Sequence, residues 1–146
     1  MLNIVGIGGT FDHLHKGHKF LIKTALDISH KVFIGLTTEK MLNHKKYASK
    51  LEDYKTRENN LKNFIKSIAD TKRVEIIELN DPYGPPIVDP NYEGIVVSQE
   101  TYPTALKINE IRESKGFKSL IIIVIPLIKS KNNKTISSTT IREKLD

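Results

Sequence analysis

At 146 residues the chain can bury one hydrophobic core and is too short for two ordinary domains, so residues 1–146 read as a single domain. Its 38% apolar and 27% charged residues are a soluble composition. Residues 120–128, the longest apolar run, are interrupted by Pro126 and far too short to span a bilayer. Cysteine is absent, which excludes disulfides and thiolate metal sites, and no signal sequence opens the chain, so a cytoplasmic protein is expected. The net charge of +6 comes mostly from dispersed lysines without interleaved aromatics, which favours solvated faces or a small polyanion site over a nucleic-acid surface.

Residues 3–8 predict a buried strand that stops at Gly8 and Gly9. Residues 16–29 predict a helix with Phe20, Leu21, Ala25 and Ile28 on one face, and residues 31–36 a second strand. A polar, lysine-rich connection follows to residue 48. A helix then begins near Glu52, with Leu61, Phe64, Ile65 and Ile68 facing inward. Residues 73–79 form a third strand. Three prolines within residues 81–86 demand an irregular loop, and residues 94–98 form a fourth strand. Pro103 suits a helix start, and Ala105, Ile108 and Ile111 carry that helix to a natural end at Gly116. Residues 119–125 read as a fifth strand covered on both faces, and residues 137–145 as a final short helix.

This alternation predicts an α/β fold: a Rossmann-like, doubly wound, five-stranded parallel sheet with helices on both faces. Such sheets bind ligands beyond the C-terminal strand ends, where residues 8–18 and 98–101 both fall. In Gly8-Gly9-Thr10-Phe11-Asp12-His13-Leu14-His15-Lys16-Gly17-His18 the glycines permit close backbone approach to an anion, and the helix start offers unpaired N–H donors. Neither G-x-x-x-x-G-K-[ST] nor G-x-G-x-x-G is present. His15 and His18 taken alone read as surface or structural histidines. With no obvious third ligand they would leave zinc under-coordinated, so no metal site is expected from protein side chains. A second segment, Ile136-Ser137-Ser138-Thr139-Thr140-Ile141-Arg142, sets four hydroxyls and an arginine at another helix start. It reads either as ordinary capping or as a polyphosphate grip. Two anion-binding helix starts on one parallel sheet suggest a nucleoside triphosphate.

The pairing of Gly9-Thr10-Phe11-Asp12 and His15-Lys16-Gly17-His18 with the segment from Ile136 to Arg142 resembles the nucleotidyltransferases that carry HxGH and ISSTxxR motifs. Within them the chain is most similar to archaeal-type phosphopantetheine adenylyltransferases. Asp81-x-Tyr83-Gly84-Pro85, Val97-Ser98-x-Glu100-Thr101 and Ala105-x-x-Ile108-Asn109-x-x-Arg112 add to the likeness, which covers nearly the whole chain. The resemblance implies adenylyl transfer from ATP, with Mg²⁺, to 4′-phosphopantetheine, giving dephospho-coenzyme A and pyrophosphate without a covalent enzyme intermediate. It implies no nucleic-acid or membrane partner, coenzyme A as a possible further ligand, and a monomer more readily than the hexamer of bacterial relatives.

By the same resemblance His18 stabilises the transition state, His15 stands beside it on the polyphosphate, and Thr10 orients the attacking phosphate. Gly9, Phe11 and Gly17 lie against the nucleotide, while Ser98, Glu100 and Thr101 face ribose and base. Ile136, Ser137, Ser138, Thr139 and Arg142 hold the β- and γ-phosphates. Arg112 is set with the ATP site by family position, although as a helix residue it reads as a solvated arginine. Asp12 serves either to orient the loop or as a local cap, and Glu100 either touches ligand or caps the next helix. Lys40 is the acceptor-phosphate lysine by position, with Lys45 and Lys46 competing. Lys131-Asn132-Asn133-Lys134 departs from the acidic-glycine turn of archaeal relatives. Cytidylyltransferases of glycerol 3-phosphate or phosphocholine, flavin adenylyltransferases, and a non-catalytic nucleotide- or RNA-binding module are the competing readings.

Overall fold

The computed structural model describes residues 1–42 and 51–126. In chain order it forms β1 (Leu2–Gly9), α1 (Lys16–Ile28), β2 (Ser29–Thr37), the single turn α2 (Glu39–Leu42) and α3 (Tyr54–Ile68). These are followed by β3 (Val74–Leu79), β4 (Gly94–Val97), α4 (Tyr102–Ser114) and β5 (Ile121–Val124). All strand pairings are parallel in the order β3-β2-β1-β4-β5, the expected doubly wound sheet. Its order reverses beside β1, which places the ligand crevice at the end of that strand. The expected helix at residues 137–145 lies outside the described residues. α2 falls in the stretch expected to be a polar, lysine-rich connection.

The two faces of the sheet differ in chemistry. Val5 and Ile7 of β1 and Val32, Ile34 and Leu36 of β2 point toward α1 and α3, meeting Ile22, Ala25, Leu61 and Ile65 in the larger core. Alternation then puts Gly6 and Gly8 of β1, and Phe33, Gly35 and Thr37 of β2, on the opposite face. Where side chains would cover that face, three glycines leave it thin. Tyr92 lies across Gly6, where an added Cβ would come within 3.1 Å of the ring. Together with Ile95, Val97, Ala105 and Ile108, Tyr92 builds the smaller core beneath α4.

Two expectations need correction. β5 is not covered on both faces along its length: it is the sheet edge beyond β4, and Ile121 and Val124 are 55% and 43% exposed. Only its middle is sandwiched, with Ile123 on the larger core and Ile122 on the smaller.

Arg112 is not a solvated arginine, and its donors go to backbone carbonyls. It is wholly buried, and its Nε donates to Lys118 O at 2.9 Å. Nη1 donates to Pro86 O at 2.6 Å and Asp89 O at 3.0 Å, and Nη2 to Pro90 O at 3.3 Å and Tyr92 O at 3.2 Å. The proline-rich chain between β3 and β4 has few ladder partners, so one guanidinium satisfies its carbonyls and seats it on α4. Asn109 does similar work one turn earlier. Its amide accepts from Leu120 N at 2.7 Å and donates to Leu120 O at 3.1 Å, which fixes the entry to β5. Arg112→Met should therefore lower the unfolding free energy by about 3 kcal/mol or more, read by urea denaturation, because buried carbonyls lose charged donors.

Candidate active site

Between β1 and α1 the chain turns through two non-glycine residues at positive φ, Phe11 at 52° and His13 at 49°. Such conformations persist only where the surroundings hold them. Here Phe11 is buried in the larger core, and the loop is clasped to the approach of α3. Glu52 N donates to Asp12 Oδ1 at 2.8 Å, and His13 N donates back to Glu52 Oε1 at 2.7 Å. His13 Nε2 lies 3.5 Å from Asp12 Oδ2. Asp12 is therefore the residue that fixes the loop, rather than a cap of α1.

The cap of α1 is made by the two histidines. No Ser, Thr, Asp or Asn stands at its start; His15 Nδ1 accepts from Gly17 N at 3.1 Å, and His18 Nδ1 accepts from His15 N at 3.2 Å. A ring nitrogen that accepts an N–H carries no proton itself, so in each neutral imidazole the proton sits on Nε2. The rings stack with centroids 3.8 Å apart and planes at 22°. His15 Nε2 is buried without a hydrogen-bond partner among the described residues, a donor held ready for a ligand oxygen. Burial also lowers the His15 pKa below its ordinary value. Protonation would set a donor against the Gly17 N–H, so the geometry and the desolvation act in the same direction.

Both rings border a cavity of about 390 Å³ on the thin face of the sheet, floored by Gly6, Gly8 and Gly35. Gly9, Thr10, Phe11 and Gly17 join His15 and His18 on one side, and Ser98, Glu100 and Thr101 stand at the end of β4. There Ser98 N donates to Thr101 Oγ1 at 3.1 Å, which fixes the turn into α4. Thr101, not Glu100, occupies the cap position of that helix. The third side is Thr37, Met41, Leu79, Tyr83 and Pro85. Leu79 lies over the glycines: a Cβ at Gly35 would come within 3.3 Å of it and one at Gly84 within 2.8 Å.

Nine of the residues expected at the site are thus brought together: Gly9, Thr10, Phe11, His15, Gly17, His18, Ser98, Glu100 and Thr101. Lys40 is exposed on α2 and does not line the cavity, whereas its neighbour Met41 does. Lys45, Ile136, Ser137, Ser138, Thr139 and Arg142 lie outside the described residues. Thr37 and Leu79 were not expected. Their signal is that each ends a strand of a parallel sheet, where ligands gather.

A parallel sheet with a histidine-capped helix start at its switch point is an architecture that suits a nucleotide-binding enzyme. The cytidylyltransferase-like family model matches residues 7–144, and the chain belongs to that family of nucleotidyltransferases. Within it, the chain groups with archaeal phosphopantetheine adenylyltransferases. The enzyme of that name from Pyrococcus abyssi is 44% identical over 94% of this chain and 87% of its own length. The one from Methanosarcina mazei is 45% identical over 94% and 88%. A crystal structure of a protein of unknown function from Archaeoglobus fulgidus, 32% identical, has a TM-score of 0.72 and covers 85% of this chain and 98% of that one.

Nitrogen-detected NMR should show the Nε2–H tautomer for His15 and His18 at neutral pH, with His15 titrating below 6.5. Because the unfolded chain binds this proton more readily, the stability His15 contributes is fully present above pH 6.5 and is lost as pH falls through its lowered folded value. A His15 that titrates above 6.5 would contradict the capping geometry.

Proposed function

We propose that the protein transfers the adenylyl group of MgATP to the phosphate of 4′-phosphopantetheine, giving dephospho-coenzyme A and pyrophosphate. The observation that carries this reading is the pair of stacked imidazoles, held as Nε2–H donors at a helix start beside Thr10. An acceptor phosphate oxygen attacks the α-phosphorus in line, the bond from that phosphorus to the bridging oxygen breaks, and pyrophosphate leaves with the electron pair. No protein nucleophile is needed. Catalysis then consists of positioning and charge stabilisation.

His18 donates to a non-bridging α-phosphate oxygen as charge builds on it, and His15 serves the neighbouring polyphosphate. Thr10 offers its hydroxyl and amide to the acceptor phosphate. Ser98, Glu100 and Thr101 face ribose and base, and the segment from Ile136 to Arg142 takes the β- and γ-phosphates. Mg²⁺ arrives on the triphosphate as part of the substrate. Among the described residues no group of three or more His, Asp or Glu converges on one point, and Mg²⁺ is commonly held by phosphates and waters. The apolar side made by Leu79, Tyr83 and Pro85 suits the uncharged pantetheine arm. Lys40, next to Met41, would bring positive charge to the acceptor end, with Lys45 as the other candidate.

Purified protein offered ATP or CTP with 4′-phosphopantetheine, glycerol 3-phosphate, phosphocholine or flavin mononucleotide should form dephospho-coenzyme A and pyrophosphate from the first pairing. No dephospho-coenzyme A would overturn the proposal. His18→Ala should lower kcat by about 10²–10³, the scale for losing one preorganised donor, while circular dichroism stays native. Near-wild-type turnover would remove His18 from the chemistry.

A further inference from the structure

We propose that Arg57 is a positioning residue for the acceptor phosphate, spanning the gap where β1 and β2 part at the mouth of the cavity. The parallel ladder between these strands ends at Gly9 and Leu36. The next rung would join Thr10 and Thr37. Instead, Arg57 Nη1 donates to Thr37 O at 2.7 Å and to Thr10 O at 3.1 Å, with Thr37 Oγ1 at 3.3 Å. One nitrogen thus replaces a rung and holds the two strand ends at a fixed spread. Its Nε donates to Glu52 O at 3.0 Å, and Glu52 in turn clasps the loop after Thr10 through Asp12 and His13.

Arg57 stands in the first turn of α3 directly after the exposed Lys55 and Thr56, yet it is wholly buried. Burying a guanidinium is costly, and burial lowers its pKa against the opposing pull of Glu39 and Asp12. A structural staple such as Arg112 needs only loop carbonyls. Arg57 differs in that it joins the ends of two adjacent strands, at Thr10 and Thr37 on the cavity wall, whereas Arg112 gathers carbonyls along one connecting segment and just after α4. Its Nη2 is buried, finds no hydrogen-bond partner among the described residues, and lies 3.8 Å from the Glu39 carboxylate at the start of α2. The guanidinium therefore joins the two cavity-lining threonines to the short helix that carries Lys40 and Met41. Its charge stands directly behind Thr10, where an incoming phosphate monoester would be drawn.

This inference rests on the acceptor being a phosphate monoester, as proposed above, and two measurements separate it from that reading. In the full-length chain, Arg57→Lys and Arg57→Met are compared with wild type for turnover and for binding of inorganic phosphate in the presence of saturating α,β-methylene-ATP. For Arg57→Met, kcat/KM for 4′-phosphopantetheine should fall about a hundredfold, as for a site misplaced by an ångström, while the KM for ATP stays unchanged. Phosphate affinity should fall about tenfold, with partial recovery in Arg57→Lys. Equal losses toward both substrates, wild-type phosphate affinity in the variants, or no phosphate binding by the wild type would each overturn the role. If Arg57→Met fails to melt cooperatively, Arg57→Lys decides alone, because it keeps the charge and loses the fork. Should the wild type make no dephospho-coenzyme A, the proposed reaction falls while the phosphate titrations still judge Arg57.

Discussion

Backbone polar groups at the C-terminal ends of parallel strands have lost their ladder partners and cannot be buried without new ones. Everything at this site follows from how that demand is met. The two buried arginines take the carbonyls: Arg57 at the ends of β1 and β2, and Arg112 along the chain leading into β4. The two imidazoles take amides at the start of α1. Cations answer oxygens, unprotonated ring nitrogens answer N–H groups, and the space between them is left to a ligand.

The imidazoles show how closely fold and chemistry are joined. The Nδ1 atom that caps the helix dictates that Nε2 carries the proton, so folding sets the tautomer that a phosphate oxygen requires. The two roles differ in size. A helix cap contributes about 1 kcal/mol, whereas a preorganised donor to a charge-developing oxygen contributes about 3–4 kcal/mol to the transition state. A serine would cap α1 as well. Capping alone therefore does not call for two histidines at those positions.

The histidine loop was legible in the sequence because its signal is local: a strand, glycines, and polar residues at a helix start lie within a few positions of one another. The sheet was legible for the same reason, through runs of β-branched residues separated by helical periods. Arg112 was misread because an arginine in a helix is ordinarily solvated. A non-local cue existed: Ala105, Ile108 and Arg112 share one inward stripe, as do Arg57, Leu61 and Ile65 on α3. A charged residue in register with a buried stripe signals a guanidinium that satisfies carbonyls from elsewhere in the chain. The edge position of β5 could not be read locally, because strand order is a property of the whole sheet. An apolar run looks alike in a central strand and in an edge strand whose middle is covered.

The net charge of +6 left solvated lysine faces or a small-polyanion site as its two readings, and the cavity itself carries none of those cations among the described residues. Its donors are imidazoles, hydroxyls and backbone at a helix start, and Glu100 adds a carboxylate at the end of β4. Neutral donors select for geometry, since each bonds well only to an oxygen in its line, whereas a lysine ammonium attracts any anion nearby. The cation that does stand close, Arg57, sits behind the wall with most of its donors already committed to carbonyls. It can shape the wall and its potential without being drawn out to a passing phosphate. On the proposed function, dispersed surface lysines would raise the local concentration of anions at long range, and the fixed neutral donors would decide which of them is bound in a reactive position.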